Sequence, residues 1–282
     1  MDPRRPAALA LCAAGLLLAA ARAQPWTFER RLAPGTRARV DELHESVLRL
    51  QWKGRDGAVG DEEVNTVERR FVEEVRATTP LVLHRQFELS QRAKRRPKAE
   101  AEPLKTSLHG RGVLVAGHEL KPDDPIEVSK EDRELLRLDL LAHALLPERP
   151  AGRREPWQAD PGKLVAALFG PGVRPAPGTG ARVEVERVER KGDDEVAVLR
   201  ARVALRLERT ETIPGVTADL AGELRWSLRR GLLVAAALEG PITYAAGARR
   251  EEGGEVTVQG VLRWTWRATP LDPAAAEPAP PR

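Results

Sequence analysis

The side chains able to do chemistry are few and dispersed. The five histidines are His44, His84, His109, His118 and His143. No H-x-x-x-H or H-E-x-x-H spacing occurs among them, and a metal site needs three or four converging ligands. They read as scattered surface or strand-end residues, with no metal site. The lone cysteine, Cys12, lies in an N-terminal apolar run and leaves with it if that run is cleaved. No G-x-S-x-G elbow is present to expose a nucleophilic serine. Asp123-Asp124 and Asp193-Asp194 sit beside Pro or Gly and read as turn formers rather than as an acid/base pair. No phosphate loop or G-x-G-x-x-G opens a helix, and Gly178-Thr179-Gly180 is a connector. The chain therefore presents no catalytic residue and calls for no cofactor, and it reads as a non-enzyme.

The more specific residues are apolar. Trp226, Trp264 and Trp266 fall on one parity of alternating segments together with Leu224 and Leu205. Such residues form either a packed aromatic core or the lining of an apolar pocket within a curved sheet. These five are the candidate ligand-binding residues. A ligand chamber behind them requires a cavity of about 300 Å³ or more. Trp26 and Trp157 lie in irregular segments and suit a plug at the open end of the sheet or an exposed interaction patch.

The elements that must position these residues are mainly strands. From 196 to 208, Leu199, Ala201, Val203, Leu205 and Leu207 alternate with Arg200, Arg202 and Arg206, the signature of a half-buried strand. The pattern recurs at Val216, Ala218, Leu220, Leu224 and Trp226, and again at Val256, Val258, Leu262, Trp264 and Trp266. Residues 182–190 form a shorter strand. Residues 232–244 are apolar on both parities and read as a strand covered on both faces or a central one. Gly222, Gly240 and Gly260 within strands suit bends in a strongly curved sheet. Turn chemistry at 191–194, 213–215, 229–231 and 252–254 makes this half an antiparallel meander.

The first half is less regular. Residues 64–77, 81–90, 104–109 and 112–118 read as strands. Residues 40–48 fit both a helical and a strand period, and one long strand through residue 53 is preferred. A helix over 129–145 begins at a cap-like Ser129. A shorter one follows the Asp160-Pro161 cap pair and ends at Gly170-Pro171.

The fold class is mainly β (α+β), with two curved antiparallel meander halves and two short helices at their junction. The divisions are a signal peptide at 1–23, a β-rich half at 24–128, a helical junction and connector at 129–179, the meander at 180–268 and a disordered Pro/Ala-rich tail at 269–282. The halves form either one continuous open barrel or a packed pseudo-repeat; the second is preferred.

Arg4 and Arg5, the apolar run Ala7 to Ala21 and Ala21-Arg22-Ala23 before Gln24 constitute a secretory signal cleaved after Ala23. This places the protein in the periplasm or outside the cell, with no stable membrane span after cleavage. The 282 residues are 41% hydrophobic, enough for a sizeable core. The 46 Lys+Arg against 42 Asp+Glu leave a formal net charge of +4. That excess is small and dispersed, which excludes a nucleic-acid surface.

Phe71-Val72-Glu73-Glu74-Val75, His84-Arg85-Gln86-Phe87 and Ser107-Leu108-His109-Gly110 occur in that order. Leu145-Leu146-Pro147-Glu148-Arg149-Pro150 then leads to Trp157, followed by Gly222-Glu223-Leu224-Arg225-Trp226 and Leu238-Glu239-Gly240-Pro241-Ile242. This order resembles a group of secreted bacterial β-rich proteins that pair two β halves around a leucine-proline and tryptophan junction. The resemblance covers most of the chain after the signal. Arg154-Glu155-Pro156-Trp157 departs from the group's Gly-Glu-x-Trp. The resemblance implies the β architecture and transfers no catalytic or binding residue.

The resulting expectation is a non-catalytic exported binding or carrier module that holds an apolar ligand or partner segment on a curved sheet. The alternative is a structural or interaction protein of the cell envelope with no small ligand. Its partners are a hydrophobic ligand or an envelope protein.

Overall fold

Period-two alternation puts one side of each strand in water and the other against the core, and the chain obeys it almost throughout. The structure, a computed structural model, describes residues 25–28, 32–53, 59–95, 102–116, 119–129, 132–133, 138–169, 173–208, 215–249 and 254–271. In chain order the elements are β1 (Arg37–Lys53), β2 (Val59–Thr78), β3 (Leu81–Arg95), β4 (Leu104–Lys105), β5 (Gly112–Ala116), β6 (Glu119–Pro122), α1 (Leu138–Ala144), β7 (Trp157–Ala159), α2 (Pro161–Phe169), β8 (Gly180–Lys191), β9 (Asp194–Leu207), β10 (Gly215–Ser227), β11 (Leu232–Arg249) and β12 (Gly254–Leu271). The expected signal peptide and all of the tail beyond Leu271 lie outside the described residues. β12 itself runs through Leu271, three residues past the expected strand end.

All the strands belong to one antiparallel sheet in the order β6-β5-β3-β2-β1-β12-β11-β10-β9-β8-β7, with β4 beside β3. The chain starts at the centre, walks out to the β6 edge, crosses to the β7 edge and walks back to the centre. β1 and β12 meet there along their whole length, from Arg37 opposite Leu271 to Lys53 opposite Glu255. The two expected meander halves are present, but they do not pack as a pseudo-repeat. The reason lies in β1, which pairs with β12 along its whole length and so leaves no boundary between the halves. The 40–48 segment accordingly forms strand, with Val40, Glu42 and His44 buried inward and Arg39, Asp41 and Leu43 outward.

The apolar parity faces inward. Leu199, Ala201, Val203, Leu205 and Leu207 of β9 are buried, as are Val216, Ala218, Leu220, Leu224 and Trp226 of β10. Of the two readings of residues 232–244, the central strand holds: β11 lies between β10 and β12 and is not covered on both faces. Ala236, Leu238 and Ile242 are buried inward, whereas Ala237 and Glu239 face solvent. Its outer face carries alanines without being covered; it is an interior strand of a one-sided sheet.

The junction between the two edges crosses the inner face and fills it. Ser129 caps the first helical turn by accepting the Asp132 backbone N–H at 3.1 Å. The helical segment resumes at α1, residues 134–137 lying outside the described set. Asp160 accepts the Lys163 N–H at 2.7 Å and starts α2 at Pro161, satisfying a free amide of the first turn. Leu108, Val128, Leu141, Leu145, Leu164 and Val165 pack from this side into the same core as the sheet.

Candidate functional site

The register assembles the inner wall row by row. One row runs Glu42–Trp266–Ala236–Leu224–Leu199 across β1, β12, β11, β10 and β9. The next runs His44–Trp264–Leu238–Gly222–Ala201. Leu48–Gly260–Ile242–Ala218–Leu205 lies two rows further, and Leu50–Val258–Tyr244–Val216–Leu207 follows it. The five candidate residues Trp226, Trp264, Trp266, Leu224 and Leu205 thus share one wall. None is more than 6% exposed, and they lie in the core beneath the junction.

The wall ends differently at its two limits. At the last row whose side chains are described, Leu207 and Val216 are buried, Tyr244 and Val258 are half-buried, and Leu50 is 44% exposed. At the near end, by the starts of β1 and β11, a partly enclosed cavity of about 40 Å³ remains, lined by Arg37, Glu73, His143, Leu232, Leu233 and Trp266 among others. A wider hollow of about 560 Å³ opens on the polar outer face, between Arg202 and Arg263 over Ala221 and Ala237.

Within the wall lies a polar cluster that pattern reading missed. Glu42 and His44 occupy inward positions of β1, Arg69 an inward position of β2, and Asp132 comes from the junction; none of the four is more than 5% exposed. The Glu42 carboxylate lies 2.9 Å from His44 Nε2 and accepts the Trp264 indole N–H at 3.2 Å. Arg69 donates to Asp132 at 3.2 Å and stands 3.7 Å from Glu42. Arg92 approaches Asp132 at 3.6 Å. Beside them Arg85 donates to Glu73 at 2.9 Å and stacks 5.2 Å over the Phe71 ring. Burial alone would raise the Glu42 pKa, but His44, Arg69 and Arg85 together lower it to about 2.

His44 is therefore neither a surface nor a strand-end histidine. It lies mid-strand, stacked on Trp264 at 6.3 Å between ring centres. The signal was present in the sequence: Val40, Glu42, His44, Ser46 and Leu48 share a parity that is otherwise apolar across the sheet. Chemically, the cluster is a buried charge network that ties Asp132 of the junction to β1 and β2, because each acid sits against a cation.

Other sequence candidates occupy structural positions. Asp123 accepts from His84 at 2.8 Å, and Asp124 from Arg111 at 2.6 Å. Asp194 accepts the Ser227 hydroxyl at 2.6 Å beside the Gly192 turn. His109 Nδ1 accepts the Ser90 backbone N–H at 3.3 Å, and His118 lies outside the described residues. Trp26 bridges to Ala151, and Trp157 donates its indole N–H to Leu145 O at 2.9 Å while packing on Phe28. These two close the junction over the wall. Among the described residues no group of three metal-ligating side chains converges.

Fold and wall together define a single-sheet β protein, apolar inside and charged outside, with its concave face plugged by its own junction. No protein-family model matches the chain, and no curated protein matches it. Among solved structures, lipovitellin, described for its lipid–protein interactions, is similar over 84% of this chain, at 10% identity and a TM-score of 0.47. The chain spans 25% of lipovitellin's length. An outer membrane channel from Pseudomonas putida F1 is similar over 85% of this chain and 97% of its own, at 10% identity and a TM-score of 0.22. At these values neither likeness carries a function across.

Proposed function

We propose that this chain is an exported, non-catalytic binding module that holds an apolar ligand or a partner's apolar segment against the open end of its curved sheet. The observation that supports it is the last inner row whose side chains are described, Leu50–Val258–Tyr244–Val216–Leu207, in which burial falls away towards Leu50. An apolar row continuous with the core and partly exposed at its end is a surface on which further apolar area can be buried. Export rests on the N-terminal sequence.

The outer face argues against a lipid-embedded barrel. Arg39, Asp41, Arg200, Arg202, Asp219, Arg263 and Arg267 are exposed on it, where a membrane barrel carries an apolar band. No helix among the described residues is long and apolar enough to cross a membrane.

The test is equilibrium binding of a fluorescent long-chain acyl probe. Leu50→Asp is expected to bind it about tenfold more weakly than the parent. Leu43→Asp, which places the same charge on the outer face of the same strand, leaves binding unchanged. Equal binding by the parent and Leu50→Asp refutes the proposal.

One observation favours a second reading, an interaction protein of the envelope with no small ligand. The interior cavity is about 40 Å³, far below the several hundred Å³ of ordinary ligand chambers. The first reading therefore places the ligand at the end of the wall and not in a closed chamber. Absence of probe binding by the parent protein selects the second.

A further inference from the structure

The outer face carries an uncompensated pair of charges. Arg182 of β8 and Arg202 of β9 lie directly opposite each other in the register, and both are exposed. Like charges directly opposite are destabilising in a sheet. Neither guanidinium has a hydrogen bond or ion pair among the described residues. The charges around them are engaged: Arg200 with Glu186, Arg206 with Asp219, Arg263 with Glu45 and Glu239, and Glu223 with Arg225. Glu184, diagonal to Arg202, forms no ion pair with it. Beside Arg202 opens the outer hollow of about 560 Å³. The hollow arises because two small residues stand where neighbouring outward positions carry long ones. Ala221 lies in the row Arg202–Ala221–Glu239–Arg263, and Ala237 in the row Arg200–Glu223–Ala237–Thr265. Both alanines are exposed, so two free cations border an open apolar floor.

We propose that this surface docks an extended segment of a partner protein, one that carries an acidic side chain followed two residues on by an apolar one. The carboxylate sits between Arg182 and Arg202, where the two guanidiniums offer charge-assisted hydrogen bonds and an anion relieves the repulsion between them. The apolar side chain enters the hollow over Ala221 and Ala237. The spacing follows from the sheet. Adjacent strands lie about 4.8 Å apart, so the floor at β10 is about 7 Å from the midline of β8 and β9, the span of about two extended residues. Residues two apart in an extended chain also point to the same side. Charge complementarity selects an acidic partner: the acids of the rim, Glu186, Glu223 and Glu239, already hold arginines, and the surplus is positive. A lone phosphate would use the arginines and leave the hollow empty. This surface is on the opposite face from the row that ends at Leu50, so it does not depend on the binding proposed there.

The experiment titrates a dye-labelled peptide, Gly-Ser-Glu-Ser-Leu-Ser-Gly, with the full protein at low salt and follows fluorescence anisotropy. Two further peptides replace its Glu by Gln or its Leu by Ser. The Glu peptide is expected to bind about tenfold more tightly than the Gln peptide and about threefold more tightly than the Ser peptide. Arg182→Gln and Arg202→Gln should each weaken the Glu peptide about threefold, and together about tenfold, while leaving the Gln peptide unchanged. Ala221→Gln, which fills the hollow and keeps both arginines, should erase the preference for Leu over Ser. Arg267→Gln, exposed on the same face outside the lining of the hollow, should leave all binding unchanged. So should Leu50→Asp, which separates failure of this surface from failure at the open end. The inference is overturned if the Glu and Gln peptides bind alike, if the Leu and Ser peptides bind alike, or if the double arginine variant binds like the parent. It is also overturned if the parent binds none of the peptides, and capture of phosphatidylglycerol vesicles in that case assigns the arginines to a lipid headgroup instead.

Discussion

Transfer of a carboxylate into a protein interior ordinarily raises its pKa, yet Glu42, 4% exposed, is held at about 2. Burial pushes it up; His44, through both charge and hydrogen bond, and then Arg69 and Arg85 bring it down further than burial raised it. The folded-state value therefore lies below the ordinary 4.5. Glu42 contributes stability that is fully present above about pH 4.5 and is lost as pH falls from there through about 2. Glu42→Gln is expected to destabilise the fold at pH 7 by about 3–5 kcal/mol, because Arg69 loses one of its buried counter-charges. It should also remove this residue's share of the stability lost between pH 4.5 and 2. Urea unfolding across that range checks both; a variant with parental stability and an unchanged acid limb contradicts the assignment. A sequence reader can see that Glu42 and His44 share a parity with Val40 and Leu48. The identity of their partners is hidden, because Arg69, Asp132 and Trp264 are brought in by register and by the junction, not by spacing.

At the scale of elements, the curvature of the sheet is built from three glycines. Gly222 lies opposite Leu238, two residues from Gly240, and Gly240 lies opposite Leu262, two residues from Gly260. They form a diagonal crease across β10, β11 and β12. A Cβ on Gly222 would stand 1.8 Å from the Ala237 carbonyl oxygen, and one on Gly240 1.9 Å from that of Asp219. The neighbouring backbone cannot retreat without breaking the ladder. Gly222→Ala is therefore expected to cost about 3 kcal/mol or more. Gly192→Ala, at a turn with φ near +61° and open space around it, should cost about 1–2 kcal/mol. Denaturant midpoints of the two variants test the order; a smaller loss for Gly222→Ala removes the crease as the source of curvature. The glycines were legible as bends because each interrupts an alternating strand. Their alignment was not, since inter-strand register depends on turns and on bulges such as those at Arg225/Trp226 and Val185/Arg187.

At the scale of the molecule, the two halves are one cooperative body because β1 and β12, from opposite ends of the chain, pair along their whole length. Trp264 to Glu42 and Arg263 to Glu45 add side-chain links across the same seam. Denaturation followed by tryptophan fluorescence and by far-ultraviolet circular dichroism should therefore give coincident single transitions; two resolved transitions would show that the halves unfold separately and that the seam is weak. The sequence by itself determined which residues lie in strands, which side of each strand shuns water, where the helices are capped and that the surface is charged. These follow from local period and local chemistry, which need no knowledge of neighbours. Only the tertiary structure decided that the halves share a sheet, that the junction fills the concave face instead of leaving a chamber, and that a buried acid is held by two cations and a histidine. Each of those depends on pairing between residues far apart in the chain, and periodicity is silent on which distant strand a given edge will choose.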